Sequence, residues 1–259
     1  MRKRPVGGAA PSARPPAQLR IPVNDEDRWR RLLAAGSAAE RAGQPERICR
    51  LCVDMLGISG AGIGMVTKEG NRGVVCATDE TSSHIEELQF SLGEGPCVEA
   101  AAAGVPVLIP DLLEPDGAHV ERWPAFMEGA RAAGVRAVFA FPLRIGAITV
   151  GVLDLYSQSP GDLGSEELPA ALMAADAAAL ALLHLDLDAD TLFEDDFDTR
   201  STYQLQVHQA TGMVQVQMDT TTEVALLMLR ARAFALGRPL VEVANDVVAR
   251  RLRFSVEDS

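Results

Sequence analysis

The side chains best suited to chemistry in this 259-residue sequence are four cysteines, four histidines and a late cluster of arginines. Cys97 follows Gly95-Pro96 in LGEGPCVEA, where a short helix is expected to begin. A thiol at a helix N-terminus meets unpaired N–H groups, which favour its thiolate and so suit it to nucleophilic or redox work. The plainer alternative is a small apolar residue packed on a sheet. Cys49 and Cys52 form a C-x-x-C within PERICRLCVDMLG, but no second C-x-x-C or paired histidine follows. Buried thiols are therefore expected there, and no metal site. His84, His119, His184 and His208 are scattered, and neither a Ser/His/Asp set nor a phosphate-cradling loop is evident. The chain is read as a non-enzyme with no catalytic residues and no cofactor. Arg230, Arg232 and Arg238 lie in or beside the apolar helical stretch LMLRARAFALGRPLVEVAND. Guanidinium forks near helix ends suit phosphates and base edges, whereas the ordinary alternative is the solvated edge of a core helix.

The length favours two domains. Hydrophobic residues make up 47% of the chain and aromatic ones only 5%, so helices should pack closely through small side chains. Residues 1–24 carry five positive charges and several prolines before Asp25, and read as a disordered basic arm without the apolar core of a secretory signal. No apolar run reaches the roughly 18 residues a spanning helix needs, so no membrane is expected and the cytoplasm is the default location. Net charge is −12, which argues against indiscriminate nucleic-acid binding. From Tyr203 onward six basic residues balance six acidic ones, so the acid sits in the middle of the chain.

Residues 25–185 read as one α+β unit, an antiparallel sheet with flanking helices. Two helices, DEDRWRRLLAAGSAAERAG and PERICRLCVDMLG, precede a hairpin formed by SGAGIGMVT and GVVCAT. Then come a Gly-Pro turn into a short helix, the strand VPVLIP, a helix around AHVERWPAFMEGARAAG, and two strong strands, VRAVFAFPLRIG and AITVGVLDLYS. SEELPAALMAADAAALALLHL closes the unit as a helix. Residues 186–200 hold seven acidic side chains in fifteen, a block that resists compaction and reads as an acidic linker or a mobile extension of the helix before it.

Residues 201–255 are expected to form an all-α bundle of three helices with short loops. Ser201 with Gln204, and Thr220 with Glu223, have capping-box spacing. Gly237 is placed to end the second helix and Pro239 to start the third, which is expected to run to Phe254. At about 100° per residue, Val207, Ala210 and Val214 share a stripe, as do Val224, Leu227, Ala231 and Phe234 of the second helix, its expected core face. In the third helix Leu240, Ala244, Val247 and Arg251 align, with Arg251 at the last turn. Leu205, Gly212 and Val216 make a second apolar stripe, and Leu226, Leu229 and Leu236 lie off the expected core face of the second helix. Such extra faces need cover from outside one bundle, so a homodimer is expected.

Within the bundle, HQATGMVQVQMDTTTEVALLMLRARAFALGRPLVEVANDVV resembles the ANTAR domain, an RNA-binding three-helix module of bacterial transcription antiterminators. The resemblance spans roughly residues 203–254 and rests on Ala210-x-Gly212, Glu223-Val224-Ala225, Leu229-Arg230 with Ala233, and Val243-Ala244 with Val247. It implies binding to paired hairpins in leader transcripts, on a surface that would include Ala210, Thr211, Gly212, Arg230, Arg232 and Arg238. Many members carry Lys where this chain has Thr211. LGEGPCVEA (92–100), VPVLIPDL (105–112) and GVRAVFAFPLRIGAITVGVLDLY (134–156) resemble the GAF domain, a sensory fold for small ligands. That resemblance implies a pocket for an unknown small molecule near Gly93, Gly95 and Cys97. Together they imply a sensor controlling an RNA-binding antitermination effector. Two alternatives stand beside it: a GAF signalling protein whose helical tail binds a protein partner, and a Cys97-dependent methionine sulfoxide reductase.

Overall fold

The computed structural model describes residues 44–67, 70–114, 119–187 and 199–255. The basic arm, the first expected helix and most of the acidic stretch lie outside these residues. The first unit runs α1 (Gln44–Leu56), β1 (Gly60–Thr67), β2 (Gly70–Ala77), α2 (Glu80–Leu92), α3 (Pro96–Ala103), β3 (Val107–Ile109) and α4 (His119–Arg122). It continues through α5 (Pro124–Ala132), β4 (Ala137–Ile145), β5 (Ile148–Ser157) and α6 (Glu167–Leu187). Three helices follow: α7 (Thr199–Met218), α8 (Thr222–Leu236) and α9 (Leu240–Val248).

The sheet is antiparallel in the order β2-β1-β5-β4-β3. Both faces are covered, which is why its inner strands read as nearly continuous apolar runs. Leu153 and Leu155 of β5 pack with Cys49 and Cys52 of α1 and Ala174 and Ala178 of α6. Val152 and Tyr156 point the other way, into Ile85 of α2, Cys97 and Ala100 of α3 and Phe126 of α5. The strand period of two therefore puts Asp154 on that second face, beneath α2 and α3. The alanines of α6 let it lie close to the sheet. A Cβ at Gly151 would come 2.5 Å from the Gly64 carbonyl and 2.7 Å from Leu182, so this strand position is reserved for glycine.

Helix α2 has no counterpart among the expected elements. Its N-cap is Asp79, whose carboxylate accepts from the Ser82 N–H while the Ser82 hydroxyl accepts from the Asp79 N–H. Gly93 closes it with φ 69°. The buried face holds Ser82, Glu86 and Gln89 among Ile85 and Phe90, and these polar members erase the apolar period. The helix expected around AHVERWPAFMEGARAAG is broken at Trp123 into α4 and α5.

In the bundle, Val207, Ala210 and Val214 of α7 form the expected inner stripe. The expected core face of α8 is wrong by nearly half a turn of the helix: the buried stripe lies almost opposite the expected one. Ala225, Leu226, Leu229 and Ala233 are inside, whereas Leu227 and Phe234 are 62% and 80% exposed and Ala231 also faces outward. Because α8 is apolar around most of its circumference, periodicity could not choose a face. The face that won has two alanines, which let α7 and α9 approach. The caps move too: Thr221, not Thr220, accepts from the Val224 N–H, and α7 begins before Ser201. Helix α9 stops at Val248 instead of reaching Phe254; Arg250 is left-handed at φ 60°, and Arg251 turns back onto Asp246. No helix among the described residues is long and apolar enough to cross a membrane.

Candidate functional site

On the covered face of the sheet, three elements bring polar side chains into an apolar layer. Asp154 rises from β5, opposite Gly62 of β1 and Ala140 of β4. Glu86 and Gln89 descend from α2, and Cys97 sits in the first turn of α3 after Pro96. All four are buried, with Gln89 and Cys97 fully enclosed. The Gln89 amide donates to Asp154 Oδ2 at 3.0 Å, and its Oε1 accepts from the Cys97 N–H at 2.7 Å. One glutamine thus braces both the strand carboxyl and the start of α3. Two glycines make the room. A Cβ at Gly62 would come 2.8 Å from Glu86 Oε1, and one at Gly95 would come 2.7 Å from Gln89 Oε1.

Burial in this apolar layer dominates the electrostatics. Desolvation pushes the Asp154 carboxyl up to about 6, against hydrogen bonds from Glu86, Gln89 and Cys97 that favour its charge. Glu86 is raised well above the carboxylate range by burial and then by the neighbouring Asp154. The Cys97 thiol is raised as well, first by burial and then by the two carboxyls. Of the two readings of Cys97, the packed thiol is the one that burial fits: enclosure beside acids outweighs the helix dipole that would have favoured a thiolate. The other thiols are buried too, with Cys49 Sγ 3.3 Å from Cys76 Sγ on the opposite side of the sheet.

Helix α2 reaches beyond this cluster. At its N-terminal end the Tyr156 hydroxyl donates to Asp79 at 2.7 Å. At its C-terminal end Phe90 is buried in the core of the three-helix bundle, edge-on to His208. Arg230 of α8 lies across that end, and its Nε and Nη2 donate to the Phe90 carbonyl at 3.1 and 2.6 Å. Burial there lowers the guanidinium to about 10. Gly93 is the contact point: a Cβ on it would come 2.8 Å from Arg230 Nη1.

Of the expected pocket residues, Cys97 belongs to the polar cluster and Gly95 borders it, while Gly93 faces Arg230 instead. Glu86, Gln89 and Asp154 were not anticipated, although the single acid in the apolar run AITVGVLDLYS was a readable signal. The residues expected on an RNA surface do not gather on one open face. Ala210 and Thr211 lie inside the bundle, and the Thr211 hydroxyl donates to the Val207 carbonyl one turn back. Gly212 faces outward with open space before it. Arg230 is turned onto α2, Arg232 lies over the Phe254 ring, and Arg238 pairs with Glu242 and Asp246. Phe90 of the first unit enters the bundle core, and the Arg230 guanidinium is drawn inward onto its carbonyl.

A family model described as GAF domain matches residues 46–183. Similar solved structures include the GAF domain of a phosphoenolpyruvate-protein phosphotransferase from Acinetobacter, 14% identical with a TM-score of 0.49, covering 63% of this chain and 96% of that one. The corresponding domain from Coxiella burnetii is 10% identical with a TM-score of 0.45, covering 63% and 94%. A type II free methionine-R-sulfoxide reductase from Thermoplasma acidophilum is 15% identical with a TM-score of 0.43, covering 56% and 94%. No curated protein matches the chain.

Proposed function

Since this chain belongs to the GAF domain family through residues 46–183, we propose that its sensor unit controls the C-terminal bundle as an RNA-binding antitermination effector. One observation carries the coupling. Helix α2 gives Glu86 and Gln89 to the buried polar cluster and Phe90 to the bundle core, so the two sites share one rigid element. A species bound among Glu86, Cys97 and Asp154 would press on α2 within a turn of Phe90. The bundle would feel that displacement through Arg230 and Gly93.

RNA as the effector's ligand rests on the resemblance of residues 203–254 to the ANTAR domain and on a supply of guanidinium groups. Arg250, Arg251 and Arg253 are exposed and Arg238 is partly so, and hairpin RNA offers phosphates and splayed bases to such groups. Arg238 and Arg251 share Asp246, which holds them in place until a phosphate competes. The docked arrangement is then the weaker-binding state, because Arg230 is engaged on α2. The exposed face of α8, with Leu227 and Phe234, is covered by a second copy in a homodimer. The same face favours the second reading, a helical tail that docks on a different protein. No catalytic step is assigned, because an enclosed thiol whose proton is held tightly is the opposite of an activated nucleophile.

The test is hairpin binding by the full chain across a salt series. The effector reading expects affinity to fall linearly with salt on a logarithmic plot, and Arg238→Ala to reduce that slope by about one contact. Absence of hairpin binding, together with capture of a protein through α8, would favour the second reading instead.

A further inference from the structure

We infer that Glu86, Cys97 and Asp154 form a binding site for one divalent transition-metal ion of zinc or ferrous type. The donors come from α2, α3 and β5, far apart in sequence, which is why no spacing motif announces them. One oxygen of each carboxyl and the Cys97 Sγ lie within 4.8 Å of one another. A tetrahedral ion with bonds of about 2.0–2.3 Å holds its donors roughly 3.3–3.8 Å apart, so small side-chain movements close the set. Two carboxylates and a thiolate are a donor mix for a borderline-soft ion, not for magnesium or calcium.

A second observation is independent of the clustering. Glu86 Oε2 and Asp154 Oδ1 are buried without any hydrogen-bond partner. Among the described residues no cationic side chain forms a salt bridge with either carboxyl. Buried carboxylates are ordinarily paired or bound to a metal, because removing them from water is costly. A divalent ion takes the place of the proton that Glu86 shares with Asp154 and partners the two oxygens left without one.

The surroundings are built accordingly. Gln89 grips Asp154 Oδ2 and the Cys97 backbone N–H, the outer-sphere bracing that fixes ligand orientation in metal sites. Gly62 and Gly95 give up their side chains where Glu86 and Gln89 lie. On binding, the ion displaces the thiol proton and any proton held on the carboxyls into solvent. Three protein ligands leave a fourth position open to water or to a small exogenous ligand. The inference deepens the sensor reading, on which it rests for its role; the ion is either the sensed species or the receptor for it.

The experiment uses the full chain, stripped with a chelator and titrated anaerobically with Co(II) as the probe. One ion per chain is expected, with a near-ultraviolet thiolate-to-cobalt charge-transfer band and ligand-field bands of tetrahedral intensity. Cys97→Ser should abolish the charge-transfer band, while the isosteric Glu86→Gln and Asp154→Asn should each weaken binding by about tenfold or more. Circular dichroism checks that each variant is folded, and the two carboxyl variants keep the test alive if one is not. Failure to bind one ion tightly would overturn the proposal. So would a band that survives Cys97→Ser but disappears in Cys49→Ser/Cys76→Ser, since the ion would then sit across the sheet. Stoichiometry and spectra are read without RNA, so failure here is separate from failure of the effector reading.

Discussion

Asp79 shows how much one side chain can organise. It caps α2, accepts from the Thr78 and Tyr156 hydroxyls, and so ties the helix to β5. Burial raises its carboxyl, but hydrogen bonds from Ser82, Tyr156, Thr78 and Thr81 outweigh that, leaving it below its ordinary 3.8. A depressed folded value means that this stabilisation is present above pH 3.8 and is lost as pH falls through the lower folded value. Asp79→Ala should cost about 1 kcal/mol at neutral pH, as lost N-caps do, measured by urea unfolding. Asp79→Asn retains a capping oxygen without the charge, so its melting temperature should fall less than the parent's between about pH 5 and pH 2. An identical acid profile for the two proteins would remove Asp79 from the account. Legibility varies sharply at this scale. Cys97 and its turn were readable because Gly-Pro punctuation is local. Glu86 and Gln89 were not, because only the fold shows that they face a buried strand acid.

Elements were legible where one period dominated. The five strands and α6 have runs whose length and composition leave a single choice, and the sheet follows them. Helix α8 was legible as a helix but not as a surface, since leucines lie all around it and burial was decided by which face offered alanines to its neighbours. The correction has a direct consequence for stability. Phe234→Ala should change unfolding free energy by no more than about 0.5 kcal/mol, as an exposed substitution does. Leu229→Ala should lose about 2–5 kcal/mol by opening a cavity in the bundle core. Chemical denaturation of the two variants under conditions where the chain is monomeric distinguishes these faces. Equal losses would restore the rotation expected from periodicity. If a second copy covers Phe234, Phe234→Glu should convert a dimer to a monomer by light scattering without lowering helicity, whereas an unchanged mass would remove that face from the dimer.

The molecule as a whole is organised around α2, the element that sequence patterning missed. Its two ends and its middle touch β5, the polar cluster and the bundle, so a small rotation of this one helix changes three environments together. In the proposed coupling Arg230 would read that rotation: its guanidinium here holds the Phe90 carbonyl and, once released, would face outward. The proposed switch would need contacts that differ between its two states, and the docked arrangement supplies two hydrogen bonds and a ring contact to Phe90 that release would remove. The most direct measurement is hairpin-RNA affinity of the full chain with Gly93→Asn, compared with the parent at one fixed salt concentration. Asparagine tolerates the left-handed cap of α2, yet its side chain occupies the place of the Arg230 guanidinium. Freed from α2, Arg230 should add about 1–3 kcal/mol of binding, read as roughly 5- to 150-fold tighter affinity, with a steeper salt dependence. Affinity and salt slope equal to the parent's, in a variant that melts normally, would contradict control of the bundle through α2.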